Sequence, residues 1–264
     1  MVFKSKTRSA DLTPPSAKRQ RVSESPPDLD DVSVNHRRFM DWVQTRGVEI
    51  DGVAPRKLPG KGLGLVTTKA MQTGERMLFI PVKAMFKPDV AFLKQHALQK
   101  VSPQAQLAIS VMASCREAKA VSKKTDFTKE DMEIWTATWP TKTNIKRSIP
   151  LGWQPGYAKS LPHSARGPYA RQYADWTKDW HAVETLCKEK RWSEESFKYY
   201  WLIVNSRSFH WKAPNGSGSM VLCPFIDYMN HGPTGDTTAK VLFTDEGYSV
   251  VAQRDYGKST AFHV

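Results

Sequence analysis

Strand-like segments stand on both sides of a long helical stretch in this 264-residue chain. Between residues 90 and 200, apolar side chains recur at steps of three and four, which is the spacing of amphipathic helices. Segments of strand-like composition, bounded by turn residues, lie at 63–68 and 76–80 before this stretch and at Ala239–Thr244 and 248–252 after it. The pattern predicts an α+β protein with a large helical insertion.

One short segment predicts a further helix before the first strand. Residues 35–45 place Phe39, Trp42 and Val43 at helical spacing, so that one face of the helix is apolar. Gly47 follows as a stop signal, because glycine readily adopts the left-handed conformation that ends a helix. In the helical stretch itself, the indoles are expected to fill the core and not to form a cofactor site: Trp135, Trp139, Trp153, Trp176, Trp180 and Trp192.

Turn residues mark where helices and strands are expected to end. The sequence Gln-Thr-Gly at 72–74 is a turn signal between the first two predicted strands, and Pro81 closes the second strand. The sequence Asp-Glu-Gly at 245–247 predicts a three-residue hairpin loop between the last two strands. Prolines within 148–153 and 160–168 are expected to interrupt the helical stretch.

Composition limits the partners and the compartment. The formal net charge of +13 favours acidic partners, but the basic residues are spread along the chain, as on an ordinary basic surface. No apolar run is long enough to span a membrane, and the N-terminus lacks the apolar core of a secretory signal. We therefore expect a protein of the cytoplasm or nucleus with no membrane partner. A basic nucleic-acid binder stays open as the least favoured alternative, and it predicts an affinity for DNA or RNA that falls steeply with salt.

Metal sites and disulfides are not expected. Cys115, Cys187 and Cys223 share no ligand spacing and are expected to be buried reduced thiols, and the histidines are scattered singly. Residues 1–34 are rich in serine, proline and charge, which predicts a disordered basic tail. The basic run at 18–21 is either a nuclear-import signal or an ordinary solvated segment.

Four segments carry the candidate chemistry. A glycine-rich bend at 61–65 precedes a strand, Ser-Arg-x-Phe lies within 205–211, and an apolar run within 222–232 leads to Asp-x-x-Asn-His before the final hairpin. Each is weak alone, because such residues also form ordinary turns and polar surfaces. Together and in this order they resemble the SET domain. More narrowly, residues 35–256 resemble the split-SET branch that includes Rubisco and ribosomal-protein lysine methyltransferases.

This resemblance implies a protein-lysine N-methyltransferase that uses S-adenosyl-L-methionine as its cofactor, with a protein that carries the target lysine as its substrate. It implies seven cofactor-binding residues on three segments: Lys61, Gly62, Leu63, Gly64, Arg207, Asn230 and His231. Backbone groups of Lys61 and Leu63 would contact the cofactor, and Arg207 would face its carboxylate or support the pocket. The arrangement requires Leu63 and Asn230, distant in sequence, to fold together.

The resemblance also implies a fold of several short sheets and a narrow channel for the substrate lysine. The backbone around Ser206 and Asp227 would line the channel, and Phe209 would form one wall. No metal ligand is implied. Four regions follow: a disordered tail (1–34), an N-terminal helix with the first half of the SET domain (35–90), a helical insertion (91–200) and the second half of the SET domain (201–264).

The last residues depart from the branch pattern. In the branch, Arg-Asp-Tyr continues into a Gly-Glu-Glu strand and a Ser-Tyr-Gly segment, whose tyrosine hydroxyl points at the reacting methyl group. After Arg254-Asp255-Tyr256 this chain reads Gly-Lys-Ser-Thr-Ala-Phe-His-Val. Tyr256 matches the earlier tyrosine, so no catalytic residue is assigned, and the closing C-terminal strand and the helical substrate-binding domain are expected to be missing. The alternative function is a non-catalytic protein-interaction module derived from such an enzyme.

Overall fold

The computed structural model describes residues 32–116, 127–154, 156–212, 218–232 and 238–263. Seven α-helices lie in these ranges: α1 (Val34–Thr45), α2 (Val90–Gln95), α3 (Pro103–Arg116), α4 (Lys129–Thr136), α5 (Lys142–Ser148), α6 (His163–Glu189) and α7 (Glu194–Arg207). Eight strands lie in them: β1 (Glu49–Ile50), β2 (Val53–Leu58), β3 (Gly62–Thr67), β4 (Arg76–Pro81), β5 (Ser208–Lys212), β6 (Gly218–Leu222), β7 (Ala239–Thr244) and β8 (Gly247–Ala252).

Strands from the two ends of the chain pair directly in the largest sheet. Its order is β1-β4-β8-β7 with all neighbours antiparallel, and β2-β3 and β5-β6 form two further sheets of two strands each. Leu78 of β4 faces Val250 of β8 in the ladder, and both side chains are buried. Helices α2 to α7 all lie between β4 and β5 in sequence. The predicted α+β fold, with several short sheets and a helical insertion, is confirmed.

The segments 63–68 and 76–80 form strands as predicted, β3 and β4, but these strands do not pair with each other. Strand β3 pairs with β2, whereas β4 pairs with β1 and β8. The turn at 72–74 is present, but Met71 just before it exchanges two backbone hydrogen bonds with Tyr256, at 3.0 and 2.8 Å. Strand β2 escaped prediction because its sequence, Val-Ala-Pro-Arg-Lys-Leu, combines a proline with two basic residues.

The last hairpin has a shorter loop than predicted. Gly247 pairs with Thr244 in the ladder, so the loop contains two residues, Asp245 and Glu246. A Cβ atom on Gly247 would collide with the carbonyl oxygen of Ile80 in the neighbouring strand β4. Glycine is therefore required at this position by the close approach of another strand, which the local turn pattern does not reveal.

Prolines end the helices at one of the two predicted places. Within 148–153, helix α5 ends and a short 3₁₀ helix, Pro150–Gly152, follows. Within 160–168 the prediction was wrong in part, because α6 begins at His163 and continues through Pro168. Pro168 is exposed in the second turn of this 27-residue helix. Its ring therefore faces solvent, and one main-chain hydrogen bond is lost near the helix start.

Aromatic side chains form two centres of the core. One joins α1 to α4, where the ring of Trp135 lies 6.4 Å from Phe39 and 5.8 Å from Trp42. The other lies between α6 and α7, where Trp176 meets Trp201 edge-on at 5.6 Å. The prediction that indoles fill the core is confirmed for four of them, which are buried: Trp135, Trp139, Trp176 and Trp192. Trp153 and Trp180 are half-buried.

The N-terminal helix α1 is confirmed, since it covers the predicted residues and buries the three apolar side chains that predicted it. Gly47, just beyond its end, has a φ of +82°, in the left-handed region expected of a helix stop. The predicted tail, 1–34, lies outside the described residues except for its last three. Of these, Val32 is buried.

Three further findings concern the described part of the chain. It contains no group of three or more His, Cys, Asp or Glu side chains that could hold a metal ion. None of its helices combines the length and apolar character needed to span a bilayer. All three cysteines are free; Cys187 and Cys223 are buried as predicted, whereas Cys115 is half-buried. Burial raises the pKa of the Cys187 thiol to about 11, so this side chain is a protonated core residue at neutral pH.

Candidate functional site

Two segments that lie far apart in sequence meet at strand β3. Asn230 follows a short 3₁₀ helix, Ile226–Tyr228, and its side-chain Nδ2 donates a hydrogen bond to the carbonyl oxygen of Leu63 at 3.3 Å. The contact joins the glycine-rich bend to the Asp-x-x-Asn-His segment. The structure therefore meets the requirement that the sequence hypothesis placed on Leu63 and Asn230.

Gly64 allows Asn230 to approach β3 this closely. A Cβ atom at position 64 would lie 2.6 Å from Nδ2 of Asn230 and 2.5 Å from Cδ1 of Leu58. Both distances are far below ordinary van der Waals contact, and the φ angle of Gly64 is not in the left-handed region. Space, and not backbone conformation, therefore requires glycine at this position.

The loop that leads into β3 is open on one side. Gly62 has a φ of +71°, and a Cβ atom there would meet no atom within 4 Å beyond its chain neighbours. Lys61 is exposed, and its N–H donates to the carbonyl oxygen of Leu58 at 3.0 Å, which closes the turn between β2 and β3. A ligand can therefore reach the backbone beside Gly62. The carbonyl group of Lys61 can contact such a ligand, whereas its N–H is already bonded to Leu58.

An ion pair holds the 3₁₀ helix that precedes Asn230. Arg207, the last residue of α7, lies with Nη1 2.6 Å from Oδ2 of Asp227. Only 8% of the Asp227 side chain and 22% of the Arg207 side chain are exposed. Phe225, directly before this 3₁₀ helix, is buried with a φ of +74°, a conformation that aromatic residues rarely adopt and that surrounding contacts must hold. Arg207 therefore supports the site through Asp227.

A histidine from α1 reaches the same 3₁₀ helix. Nδ1 of His36 lies 2.5 Å from the hydroxyl oxygen of Tyr228. Burial lowers the pKa of His36; the Asp227 carboxylate opposes this shift, and the Arg207 guanidinium adds to it. Burial also raises the pKa of Tyr228, so the hydroxyl stays protonated and can donate a hydrogen bond to Nδ1 of the neutral imidazole. This hydrogen bond ties α1 to the site.

We expect protonation of His36 to weaken the fold. Because its pKa in the folded chain lies below the ordinary 6.5, the unfolded chain binds the proton more readily. The stability gained from neutral His36 is complete above pH 6.5, the ordinary pKa. It is lost as the pH falls from there through the lower pKa of the folded chain. In urea titrations at several pH values, wild type should lose more stability on acidification than His36→Gln, by less than about 1 kcal/mol because the group is only half-buried. Equal losses in both proteins would contradict this.

The residues predicted for the lysine channel lie where α7 continues into β5. The Ser206 hydroxyl donates to two carbonyl oxygens one turn earlier in α7, at 2.9 and 3.1 Å, so its side chain is used within the helix. Phe209 is half-buried, and its ring lies 5.6 Å from that of Tyr248 in β8. The Tyr248 hydroxyl donates to the carbonyl oxygen of His210. This region therefore presents backbone groups and aromatic surface.

Residues after β8 run back along β3 towards Asn230. Thr67 accepts a backbone hydrogen bond from Ser259 at 2.7 Å and donates one to Thr260 at 3.0 Å. His263 then forms a parallel bridge with Asn230. Within the described ranges these residues after β8 form isolated bridges and not a further strand. Even so, this segment lies directly beside the candidate site.

Ten site residues were predicted from the sequence, and two contacts bring most of them together in the folded chain. The Asn230–Leu63 hydrogen bond brings the bend and the Asn-His pair together, with His231 exposed beside them. The Arg207–Asp227 ion pair ties the end of α7 to the same place. Sequence reasoning missed His36, because no local pattern separates it from the other single histidines. Tyr248 was missed as well, since its strand pattern says nothing of its neighbours across the sheet.

Several solved SET-domain structures share this fold. The SET domain of LSMT bound to methyllysine and AdoHcy matches with a TM-score of 0.67 at 17% identity, over 88% of this chain and 53% of that one. Rubisco LSMT bound to AdoMet matches with a TM-score of 0.65 at 15% identity, over 88% and 53% of the two chains. Rubisco LSMT bound to sinefungin and monomethyllysine matches at 0.62 and 15%, over 88% and 52%.

These likenesses establish the fold. The chain folds as a SET domain similar to that of Rubisco LSMT, as the sequence motifs implied. It spans about half the length of the solved structures that it matches. No protein-family model and no curated protein matches the sequence.

Proposed function

We propose that this chain binds S-adenosylmethionine where β3 meets Asn230, and that it is a protein-lysine N-methyltransferase. The hydrogen bond from Asn230 to Leu63, packed across Gly64 and beside the open backbone at Gly62, carries the proposal. The similar solved structures bind AdoMet, AdoHcy or sinefungin, and two of them also bind a methylated lysine.

The residues at this place suit such a cofactor. The open side of Gly62 leaves room for a ligand against the backbone, and carbonyl groups of Lys61 and Leu63 can accept its hydrogen bonds. The exposed imidazole of His231 can border the same ligand. Arg207 was given two alternative roles, and its 2.6 Å contact with Asp227 favours support of the pocket over direct contact with the cofactor carboxylate.

When bound, the cofactor supplies a methyl group on a cationic sulfur. The chain's own residues then have to hold the acceptor amine in line with that methyl group and keep it neutral. A free lysine has a pKa of about 10.4, and apolar surroundings disfavour its charged form. The aromatic rings of Phe209 and Tyr248 provide such surroundings. Carbonyl groups at the end of α7 and around Asp227 can accept hydrogen bonds from the amine's N–H groups and so orient its lone pair.

A second candidate function rests on the tyrosines. The hydroxyls of Tyr228, Tyr248 and Tyr256 each bond to a protein acceptor, so none of the three is proposed as the catalytic residue. This observation favours a module that keeps the SET fold and the cofactor site but transfers no methyl group. Transfer of labelled methyl groups from the cofactor to protein lysine would support the enzyme, whereas tight cofactor binding without transfer would support the module.

Calorimetry with S-adenosylmethionine tests the site directly. Asn230→Ala removes the amide that bonds to Leu63 and should weaken cofactor binding by at least about thirtyfold, which corresponds to roughly 2 kcal/mol. His231→Ala should weaken it by a smaller factor, since this side chain is exposed. Wild-type affinity in both variants would contradict the proposed site.

Asn205→Ala is the matched control for this experiment. Its amide also donates to a main-chain carbonyl, that of Trp201 at 2.8 Å, but the bond lies within α7. The same chemical group is thus deleted away from β3. Cofactor affinity in this variant should stay within about twofold of wild type.

A further inference from the structure

The middle of the helical insertion is depleted of acidic residues. Residues 134–174 contain no Asp or Glu, although the whole chain has 26. The same stretch contains Lys142, Lys146, Arg147, Lys159, Arg166 and Arg171. A stretch of this length with one sign of charge produces a local field that attracts acidic partners, which the net charge alone does not localise.

Contacts between short elements hold this stretch together. Helix α5 packs on the 3₁₀ helix Pro150–Gly152, which in turn contacts both the 3₁₀ helix Tyr157–Ser160 and helix α6. All six basic side chains are exposed. Tyr157 and Tyr173, at 63% and 53% exposure, stand among them as large hydrophobic groups in solvent. We call these six basic side chains and the two tyrosines the basic face, because together they combine positive charge with exposed aromatic rings.

A cleft of about 440 Å³ adjoins the basic face, between α5 and the first turns of α7. Apolar groups of Ile145, Tyr199 and Leu202 form part of its lining, and the side chains of Lys142 and Lys198 border it. A cleft of this kind accepts an apolar side chain in its interior and carboxylates at its edge.

The charges around the cleft are partly balanced already. Lys146 pairs with Glu195 at 2.5 Å between Nζ and Oε1, and Lys142 Nζ donates to the hydroxyl of Ser196 at 3.3 Å. The ammonium group of Lys198 lies 5.3 Å from the ring centroid of Trp176, and burial lowers its pKa. An arriving carboxylate would compensate that loss of hydration.

We propose that this cleft and the basic face beside it bind an acidic peptide segment of a partner protein, with one apolar side chain in the cleft and carboxylates on the surrounding lysines. Glu194 and Glu195 also line the cleft and disfavour a nucleic acid, whose backbone carries a charge at every nucleotide. A peptide can place its carboxylates away from these two glutamates, with an apolar residue between its own carboxylates.

The binding site lies apart from the candidate cofactor site. The cleft is lined by Ser193, the N-cap of α7, and by helix residues up to Leu202, whereas Arg207 ends the helix and Asn230 follows the 3₁₀ helix Ile226–Tyr228. The inference therefore goes beyond the proposed methyltransferase function and does not depend on it. Peptide binding is expected with and without S-adenosylmethionine.

Fluorescence anisotropy with the full chain tests the inference. The probe is a labelled peptide of Asp and Glu around one central leucine. Lys142→Glu/Lys146→Glu should weaken its binding by at least about tenfold at low ionic strength. The control Lys94→Glu/Lys240→Glu makes the same change in net charge on α2 and β7, and it should change binding by less than about twofold.

Two further measurements keep the outcome decisive. Lys198→Gln is a milder change and should also weaken binding, and circular dichroism shows whether each variant is folded. A peptide with Asn and Gln in place of the acids should bind at least about tenfold more weakly to wild type. The proposal is overturned by equal losses in both charge-reversal variants, by absent peptide binding, or by a single-stranded oligonucleotide that binds this face more tightly than the peptide.

Discussion

Replacing Gly64 with alanine is expected to weaken S-adenosylmethionine binding by at least about thirtyfold while lowering the free energy of unfolding by only about 1–2 kcal/mol. The added methyl group would lie 2.6 Å from Nδ2 of Asn230 and 2.5 Å from Cδ1 of Leu58. Both atoms end flexible side chains, so these side chains move and β3 keeps its path. Asn230 then loses its bond to Leu63, which is the contact that forms the proposed site.

Gly74→Ala provides the matched control for Gly64→Ala. Gly74 has a φ of +87°, and a Cβ atom there would meet nothing within 4 Å. The substitution therefore introduces backbone strain of about 1–2 kcal/mol without any clash at the site. Calorimetry and urea unfolding on both variants separate the two effects. Comparable stability losses with cofactor binding weakened in Gly64→Ala alone are expected, and wild-type affinity in Gly64→Ala would refute the steric argument.

Arg207→Ala is expected to lower the free energy of unfolding by about 2–3 kcal/mol, because it leaves the carboxylate of Asp227 without its cation in a nearly buried position. Removing one partner of a buried pair costs more than the pair contributes, since the remaining charge has lost its hydration. The 3₁₀ helix that carries Asp227 also precedes Asn230. Cofactor binding should therefore weaken together with stability, as measured by urea unfolding and calorimetry.

An exposed ion pair serves as the control for Arg207→Ala. Arg38 lies 3.5 Å from Glu130, with 63% and 75% of the two side chains exposed. Arg38→Ala should cost less than about 1 kcal/mol, since water solvates both charges. The double variant Arg207→Ala/Asp227→Asn should recover part of the loss, because it removes the stranded charge. A loss for Arg207→Ala no larger than that for Arg38→Ala would contradict the assigned role.

Several parts of the fold could be predicted because they depend on neighbours in sequence. The apolar spacing of Phe39, Trp42 and Val43 was enough to place α1, and glycine at position 47 was enough to end it. The strand composition at 76–80 likewise identified β4. In each case the period of the side chains or the conformational freedom of one residue decides the outcome.

Other parts could not be predicted because their cause lies elsewhere in the chain. Gly247 looked like a loop residue, yet the carbonyl of Ile80 is what excludes a side chain there. The turn signal at 72–74 lies between two strands, yet these strands pair elsewhere: β4 pairs with β8, and Met71 before the turn bonds to Tyr256. The alternation of apolar residues shows which face of a strand is buried, but it does not show which strand lies beside it.

The candidate site shows the same division. Its residues could be named from the sequence because they resemble the motifs of a known domain, and the order of those motifs along the chain was enough to expect a SET fold. Only the tertiary structure decided that Asn230 bonds to Leu63, that Arg207 pairs with Asp227, and that His36 of α1 contacts Tyr228. Local conformation follows from short-range sterics and hydrophobic periodicity, whereas contacts between distant segments depend on how the whole core packs.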